Sequence, residues 1–150
     1  MKTYFHISLL TLFFSIFFLS GLAFAQQQIQ NLGNVFHVNK QQFSFPANGS
    51  IGELDSLIKV YTDKVIKKNE YILSYKIIVH WYGHDNRDFI AITEAKNWED
   101  IPKVDERNTE LFNEAWKTPK EREAYNKARN KYFTGIHSDE IYHEVLNGTK

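Results

Sequence analysis

Two runs decide the fold: YILSYKIIVHWY over residues 71–82 and DFIAITEA over residues 88–95. In the first, Tyr71, Leu73, Tyr75, Ile77, Val79 and Trp81 share one wholly apolar face, because side chains alternate across a strand. Its other face mixes Ile72, Ser74, Lys76, Ile78, His80 and Tyr82. Gly83-His84-Asp85-Asn86-Arg87 between the runs is a polar loop, so the pair predicts a β-hairpin. A strand of this kind packs its apolar face under helices and turns its mixed face elsewhere.

Upstream of the hairpin, Ser50-Ile51-Gly52-Glu53 has the form of a capping box. Leu54, Leu57, Ile58, Tyr61 and Val65 follow at helical spacing, and Lys64, Lys67 and Lys68 favour the C-terminal end of the dipole. Before that helix, Val35–Phe45 reads as a first strand. Phe36 and Val38 fall on one parity and Phe43 and Phe45 on the other, which predicts a bulge or break around Lys40-Gln41. Downstream, Asp100 is the expected cap of a second helix, with Pro102 in its first turn and Ile101, Val104, Leu111, Phe112 and Ala115 as its stripe. Thr118-Pro119-Lys120-Glu121 starts a further helical piece carrying Ala124, Tyr125, Ala128 and Tyr132, with Gly135 as a stop. Ile141–Val145 is short enough for a last strand. The order is strand, helix, strand, strand, helix in two pieces, strand. That is an α+β, ferredoxin-like split βαβ arrangement: an antiparallel sheet with its helices on one face. Ile72, Ile78, Phe43 and Phe45 leave apolar surface on the other face, for which a second subunit is the simplest cover.

With the hairpin leading into Asn97-Trp98-Glu99-Asp100, the stretch Tyr71–Trp98 resembles the dimeric α/β-barrel group. That group includes antibiotic-biosynthesis-type monooxygenases and stress-responsive barrel proteins. The likeness spans roughly Val35–Val145 and rests on element order and on the strand, strand, Trp-Glu-Asp, helix rhythm, not on a catalytic signature. It implies a homodimer of back-to-back sheets holding a small apolar or aromatic ligand. Activities within the group include cofactor-free oxygenation, haem degradation and isomerisation, so fold does not fix function. The resemblance leaves open an enzyme of the monooxygenase or isomerase kind, a non-catalytic carrier of haem or another hydrophobic ligand, and a structural or interaction protein.

Strand parity places His80 on the mixed face with Lys76 and Tyr82, and Glu94 shares a parity with Ile90 and Ile92. If the two faces coincide, His80 and Glu94 form an acid/base pair, with Tyr82 and Lys76 polarising a substrate oxygen. His80 and His84 have a metal-like spacing only on a helix; on a strand they sit about 13 Å apart unless Gly83 bends the chain. Ile136–Glu144 is dense in His and carboxylates. It offers His137, Asp139 and His143 to a divalent ion, but a loop with local backbone bonds from Ser138 and Asp139 is the favoured reading. No metal site is assigned on these grounds, and no cofactor motif is present: the chain has no G-x-G-x-x-G, P-loop or G-x-S-x-G.

At the N-terminus Lys2 precedes an apolar run from Ile7 to Phe24, closing on Ala23-Phe24-Ala25. This predicts a signal peptide cut after Ala25 and an exported protein, periplasmic or secreted. The chain stays at the membrane only if the segment is kept. Residues 26–34 read as a flexible leader, 35–146 as one domain and 147–150 as a tail. The absence of Cys excludes disulfides, thiolate metal sites and a Cys nucleophile. With 18 basic and 18 acidic residues, the charge balance gives no footprint for nucleic acid.

Overall fold

The strand of residues 88–95 sits inside the sheet, antiparallel to a neighbour on either side. In the computed structural model, which describes residues 32–83 and 87–146, the elements are β1 (Leu32–Phe43), α1 (Ile51–Lys64), a 3₁₀ turn (Ile66–Lys68), β2 (Ser74–Val79), β3 (Asp88–Ala95), α2 (Asp100–Ala115), α3 (Pro119–Asn130) and β4 (Phe133–Val145). The sheet order is β2-β3-β1-β4, every pair antiparallel. The α+β, four-stranded arrangement expected from the sequence is what forms. The signal-like segment, His84 and the tail 147–150 lie outside the described residues, and among the described residues no helix is long and apolar enough to cross a membrane.

Register fixes which side chains meet. Thr93 stands opposite His37 on β1 and Tyr75 on β2; Ala91 stands opposite Asn39 and Ile77. These residues face the helices. Ile90, Ile92 and Glu94 face away, with Phe36, Val38, Lys40, Ser74, Lys76 and Ile78. One end of the helix-facing layer is closed by Val35, Ala95, Ile101 and Val104, with Tyr71 and Ile72 packed against them.

Four expectations change. β1 starts at Leu32, inside the stretch read as a leader, because Leu32 pairs with Val145 and Asn34 donates to Glu94. β2 covers only the middle of residues 71–82: at its start the Tyr71 N–H is taken by the Asn69 side chain, and past Val79 the chain turns at Gly83, with φ of +139°. β4 is the largest departure. It runs from Phe133 rather than Ile141 and absorbs the His- and acid-rich stretch read as a loop. The break expected in β1 appears between Gln41 and Phe43, where the register against β4 shifts from His137 to Phe133; Gly135, at φ +85°, lies in the bulged segment of β4. That glycine serves a bulge, not the helix stop assigned to it; α3 ends earlier, at Asn130.

The helix starts follow their sequence signals with two modifications. Thr118 and Glu121 form the full capping box of α3. At α1 the Ser50 hydroxyl accepts from the Glu53 N–H, but the return bond runs through a third residue: the Ser50 N–H donates to the Tyr132 hydroxyl (3.0 Å), which donates to Glu53 (2.6 Å). Tyr132 is fully buried and so ties the start of α1 to the entry of β4. At α2 the Asp100 N–H is capped by the Asn97 side chain, while the Asp100 carboxylate pairs with Lys103.

Asn69 is the one buried polar side chain among the described residues. Its amide donates to the Val104 carbonyl (3.0 Å) and to Asn108 Oδ1 (2.9 Å), and its Oδ1 accepts from the Tyr71 N–H (3.0 Å). It pins α2 to the turn that feeds β2. Replacing Asn69 with Leu strands those buried groups, and a loss of about 1–3 kcal/mol in urea-unfolding stability is expected; an unchanged midpoint would show that the three bonds contribute nothing net.

Candidate functional site

The floor of the site is built by β3. Its helix-facing residues Ala91 and Thr93 are small, whereas Ile90 and Ile92 on the opposite face are large. Above Ala91 and Thr93 the helices therefore meet no side chain tall enough to fill the layer. The result is a partly open cleft of about 480 Å³ between sheet and helices. Its floor carries His37, Asn39, Gln41, Tyr75, Ile77, Phe89, Ala91 and Thr93; its roof is Ile58, Tyr61, Thr62, Asp105, Asn108, Thr109, Phe112, Tyr125, Asn126 and Arg129.

Aromatic packing holds the roof together over this space. Trp116 lies 4.3 Å from Tyr125 and 4.7 Å from Phe112, and Tyr61 stacks on Tyr125 at 6.3 Å. The Tyr125 hydroxyl donates to the Leu57 carbonyl, 3.1 Å away. The hydroxyls of Tyr61 and Tyr75 hold no hydrogen bond among the described residues, although burial pushes both phenols up, Tyr75 to about 12. Burial takes Tyr125 to about 12 as well. At neutral pH all three are protonated and can donate. Arg129 lies close enough to oppose each of these shifts, and the Arg129 guanidinium stacks 4.7 Å over Phe133. No carboxylate among the described residues pairs with it. Asp105 is the lining carboxylate and pushes Tyr61 further up.

On the floor, His37 Nε2 is 3.1 Å from Asp139 Oδ1, and the Asn39 amide donates to the same carboxylate oxygen at 2.7 Å. The Asn39 bond, with that of His37, holds the Asp139 carboxyl below the usual range. His137 approaches the other Asp139 oxygen at 3.8 Å. A smaller hollow of about 240 Å³ runs past Asn39 and Gln41 to His137 and Asp139.

The residues singled out from the sequence sit elsewhere. Glu94 does share the mixed face, as expected, but it stands opposite Ser74, at the other end of the strand pair from His80. Six residues of strand separate Ser74 from His80, roughly 20 Å, so His80 and Glu94 are not an acid/base pair. Glu94 instead accepts from the Ser74 hydroxyl and from Asn34 (2.6 Å), which lower its pKa, with nearby Lys76 adding to the effect. Tyr82 is 93 % exposed and Trp81 92 %, both beyond the end of β2. His80 Nε2 is buried without a hydrogen-bond partner among the described residues and lies against Gly83. The cleft described above lies on the helix side of the sheet, not on the mixed face expected to carry Lys76, His80, Tyr82 and Glu94. Nor does β4 gather a metal site: His137 and Asp139 meet, while His143 stands opposite Val35, four residues and about 13 Å along the strand from Asp139. Among the described residues no group of three or more His, Cys, Asp or Glu is placed to hold a metal ion. The sequence signal for the cleft was Tyr75 on the apolar parity of its strand, opposite the small Thr93 of the next.

No family model matches the chain, and no curated protein matches it in sequence. Solved structures do share its layout. They include a dimeric ferredoxin-like protein from Bacteroides fragilis (11% identity, 74% of this chain and 96% of that one, TM-score 0.44). Another is SnoaB, a cofactor-independent oxygenase from Streptomyces nogalater (12%, 76% and 97%, TM-score 0.43). A third is a NIPSNAP domain protein from Burkholderia xenovorans (8%, 77% and 99%, TM-score 0.47). Among such neighbours, the proteins described as dimeric and ferredoxin-like and the one described as a putative antibiotic biosynthesis monooxygenase carry the names of the group that the sequence resembles. At these identities the likeness is one of chain layout, not of site.

The Glu94 carboxylate is bonded in its ionised form, so its folded pKa lies below its ordinary 4.5. Its stabilisation is present above that value and is lost as pH falls through the lowered one. Glu94→Gln is expected to lower the urea midpoint at neutral pH and to converge with the wild type in acid. A gap that persists undiminished at low pH would remove the ionised carboxylate as its source.

Proposed function

We propose that this chain binds a small molecule in the cleft between sheet and helices, and that the ligand is a planar, ring-bearing acid carrying hydroxyl or carbonyl oxygens. One observation carries the reading: the unpartnered Tyr61 and Tyr75 hydroxyls and the carboxylate-free Arg129 converge on one aromatic-walled space. Aromatic walls take the flat rings, a guanidinium pairs with a carboxylate, and buried phenols donate to an oxygen. The volume lies in the range of ordinary ligand pockets. In this reading the working residues are those of the cleft, and Lys76, His80, Tyr82 and Glu94 have no part in binding. The hydroxyls and Arg129 suit the stabilisation of an enolate or phenolate, which fits proton transfer or oxygenation of an aromatic or polyketide-like substrate better than storage of an apolar one.

A homodimer completes the proposal. The sheet face away from the helices carries Phe36, Val38, Ile78, Ile90, Ile92 and Tyr142, with Ile78 49% and Tyr142 54% exposed. Lys40, Lys76 and Glu94 share this face, but exposed apolar residues gathered on it in this way mark an interaction surface, and a second copy covers it back to back. Export follows from the Ala23-Phe24-Ala25 pattern, and the working compartment is then outside the cytosol.

Titration with 1-hydroxy-2-naphthoate, read by quenching of tryptophan fluorescence, tests the cleft, since Trp116 packs in its roof. Saturable binding is expected, weakened about tenfold by Arg129→Gln and abolished by Ala91→Phe, which fills the floor. No saturation, or full binding to Ala91→Phe, would place the ligand site elsewhere. On a sizing column the chain should run as a dimer and Ile90→Glu as a monomer, a charge being costly in a buried apolar interface. A wild-type monomer would leave the open face without its proposed cover.

A further inference from the structure

The pair His37–Asp139 has no role in binding as described above, yet its imidazole lines the floor of the cleft, with the Asp139 carboxylate beside it to orient it as a proton acceptor. We infer that His37, oriented by Asp139, is the general base of the cleft, abstracting a proton from the carbon next to a ligand carbonyl. The inference rests on the cleft being the ligand site.

Three observations support it. First, the tautomer follows from the partner. An ionised carboxylate only accepts, so the 3.1 Å contact has His37 Nε2–H donating to Asp139 Oδ1. In the neutral imidazole Nδ1 is then the nitrogen that bears the lone pair. Second, Asp139 is itself held in place. Asn39, two residues along β1, donates to it at 2.7 Å and is in turn fixed by Gln41, whose amide donates to Asn39 Oδ1 at 2.6 Å. The carboxylate comes from β4 and its holders from β1, so the pair is set by the register Asn39 opposite Asp139. Third, His37 shares a cross-strand row with Thr93 and Tyr75. Adjacent strands are about 4.8 Å apart, so the backbones under His37 and Tyr75 are separated by roughly 10 Å. The imidazole and the phenol reach in from the two sides of that gap, so a C–H and the carbonyl oxygen beside it can be met together, the C–H by the imidazole and the oxygen by the phenol.

The step balances without any further reactant. The C–H proton passes to His37 Nδ1 and gives an imidazolium paired with Asp139. The C–H electron pair moves into the carbon–carbon bond, and the carbonyl oxygen becomes an enolate oxygen that accepts from a tyrosine hydroxyl. Return of a proton to the carbon regenerates the ketone, so in D₂O the net reaction is exchange of hydrogen for deuterium. His37 is the catalytic residue in this scheme, and Asp139 and Asn39 are positioning residues.

The test uses the full chain and 5-oxo-5,6,7,8-tetrahydronaphthalene-2-carboxylate, which joins a ring carboxylate to a ketone with exchangeable α-hydrogens. Fluorescence quenching gives its Kd, and NMR in D₂O gives the α-exchange rate. The wild type should accelerate exchange at saturation. His37→Gln should lose at least ~100-fold of that acceleration at an unchanged Kd, in the range that a general base supplies. His37→Ala should be restored in part by added imidazole. Asp139→Asn should keep the Kd and lose rate, and Asp139→Glu should recover part of it. Binding without acceleration in the wild type, or wild-type exchange in His37→Gln, would overturn the base while leaving the binding site standing. Failure of the wild type to bind the probe would overturn the cleft reading and this inference with it.

Discussion

The register of β3 between β1 and β2 is the constraint on which the rest depends. Side chains alternate with a period of two, so a slip by one residue exchanges the two faces of a strand completely. In the observed register Ala91 and Thr93 lie under the helices and Ile90 and Ile92 on the opposite face. The exchanged register would put two isoleucines into the cleft and two smaller residues on the apolar face. Both surfaces would be lost together: the cleft would fill and the face proposed for pairing would flatten. The alternation in DFIAITEA is therefore one pattern with two consequences.

A hollow layer needs its roof held by something other than the floor. Two polar junctions and one aromatic cluster supply this. Tyr132 joins α1 to the start of β4 through Ser50 and Glu53, and Lys131 adds an ion pair to the same carboxylate at 2.8 Å. Asn69 joins α2 to the approach of β2. Between them Tyr61, Phe112, Trp116 and Tyr125 pack on one another, each good ring pair contributing about 0.5–1.5 kcal/mol beyond its burial. The helices thus satisfy much of their apolar demand among themselves. The sealed end at Val35, Ala95, Ile101 and Val104 anchors them to the sheet, and the middle stays open.

What could be read from the sequence follows from how strongly each segment commits by itself. The hairpin, the three helices and the capping box of α3 were legible because periodicity and cap residues coincide there, whereas the cap of α2 falls to Asn97 rather than Asp100. β4 was not. It is an edge strand in which nearly every side chain is exposed, so no apolar alternation marks it, and its state is decided by pairing with β1. With β4 hidden, Asp139 could not be set beside His37, since strand pairing between distant segments is absent from any local pattern. The face of the site was misjudged for a different reason. Tyr75 and Ile77 were read as core from parity, and parity does not show whether the facing element comes close enough to fill the space between. His80 looked catalytic because it shares a mixed face with other polar groups. The strand ends before it, and Glu94 is occupied by Ser74 and Asn34 instead.

The cleft also divides proton chemistry between its residue types. A phenol whose pKa is raised to about 12 is a poor base at neutral pH and a dependable donor, and Tyr75 and Tyr125 both have this character because they are buried. A guanidinium never accepts a proton. Of the lining groups, Asp105 and the His37 imidazole are left as acceptors. Asp105 belongs to the roof and is exposed, where water serves a carboxylate well. His37 is fixed from beneath by a carboxylate that two neighbouring strands hold still. Fixing matters because proton transfer depends on geometry before it depends on basicity. The donors therefore cluster on Tyr61, Tyr75 and Arg129, and the oriented acceptor sits on β1, so in the proposed reaction the charge formed as a proton moves to the imidazole is received by the donors of the same cleft.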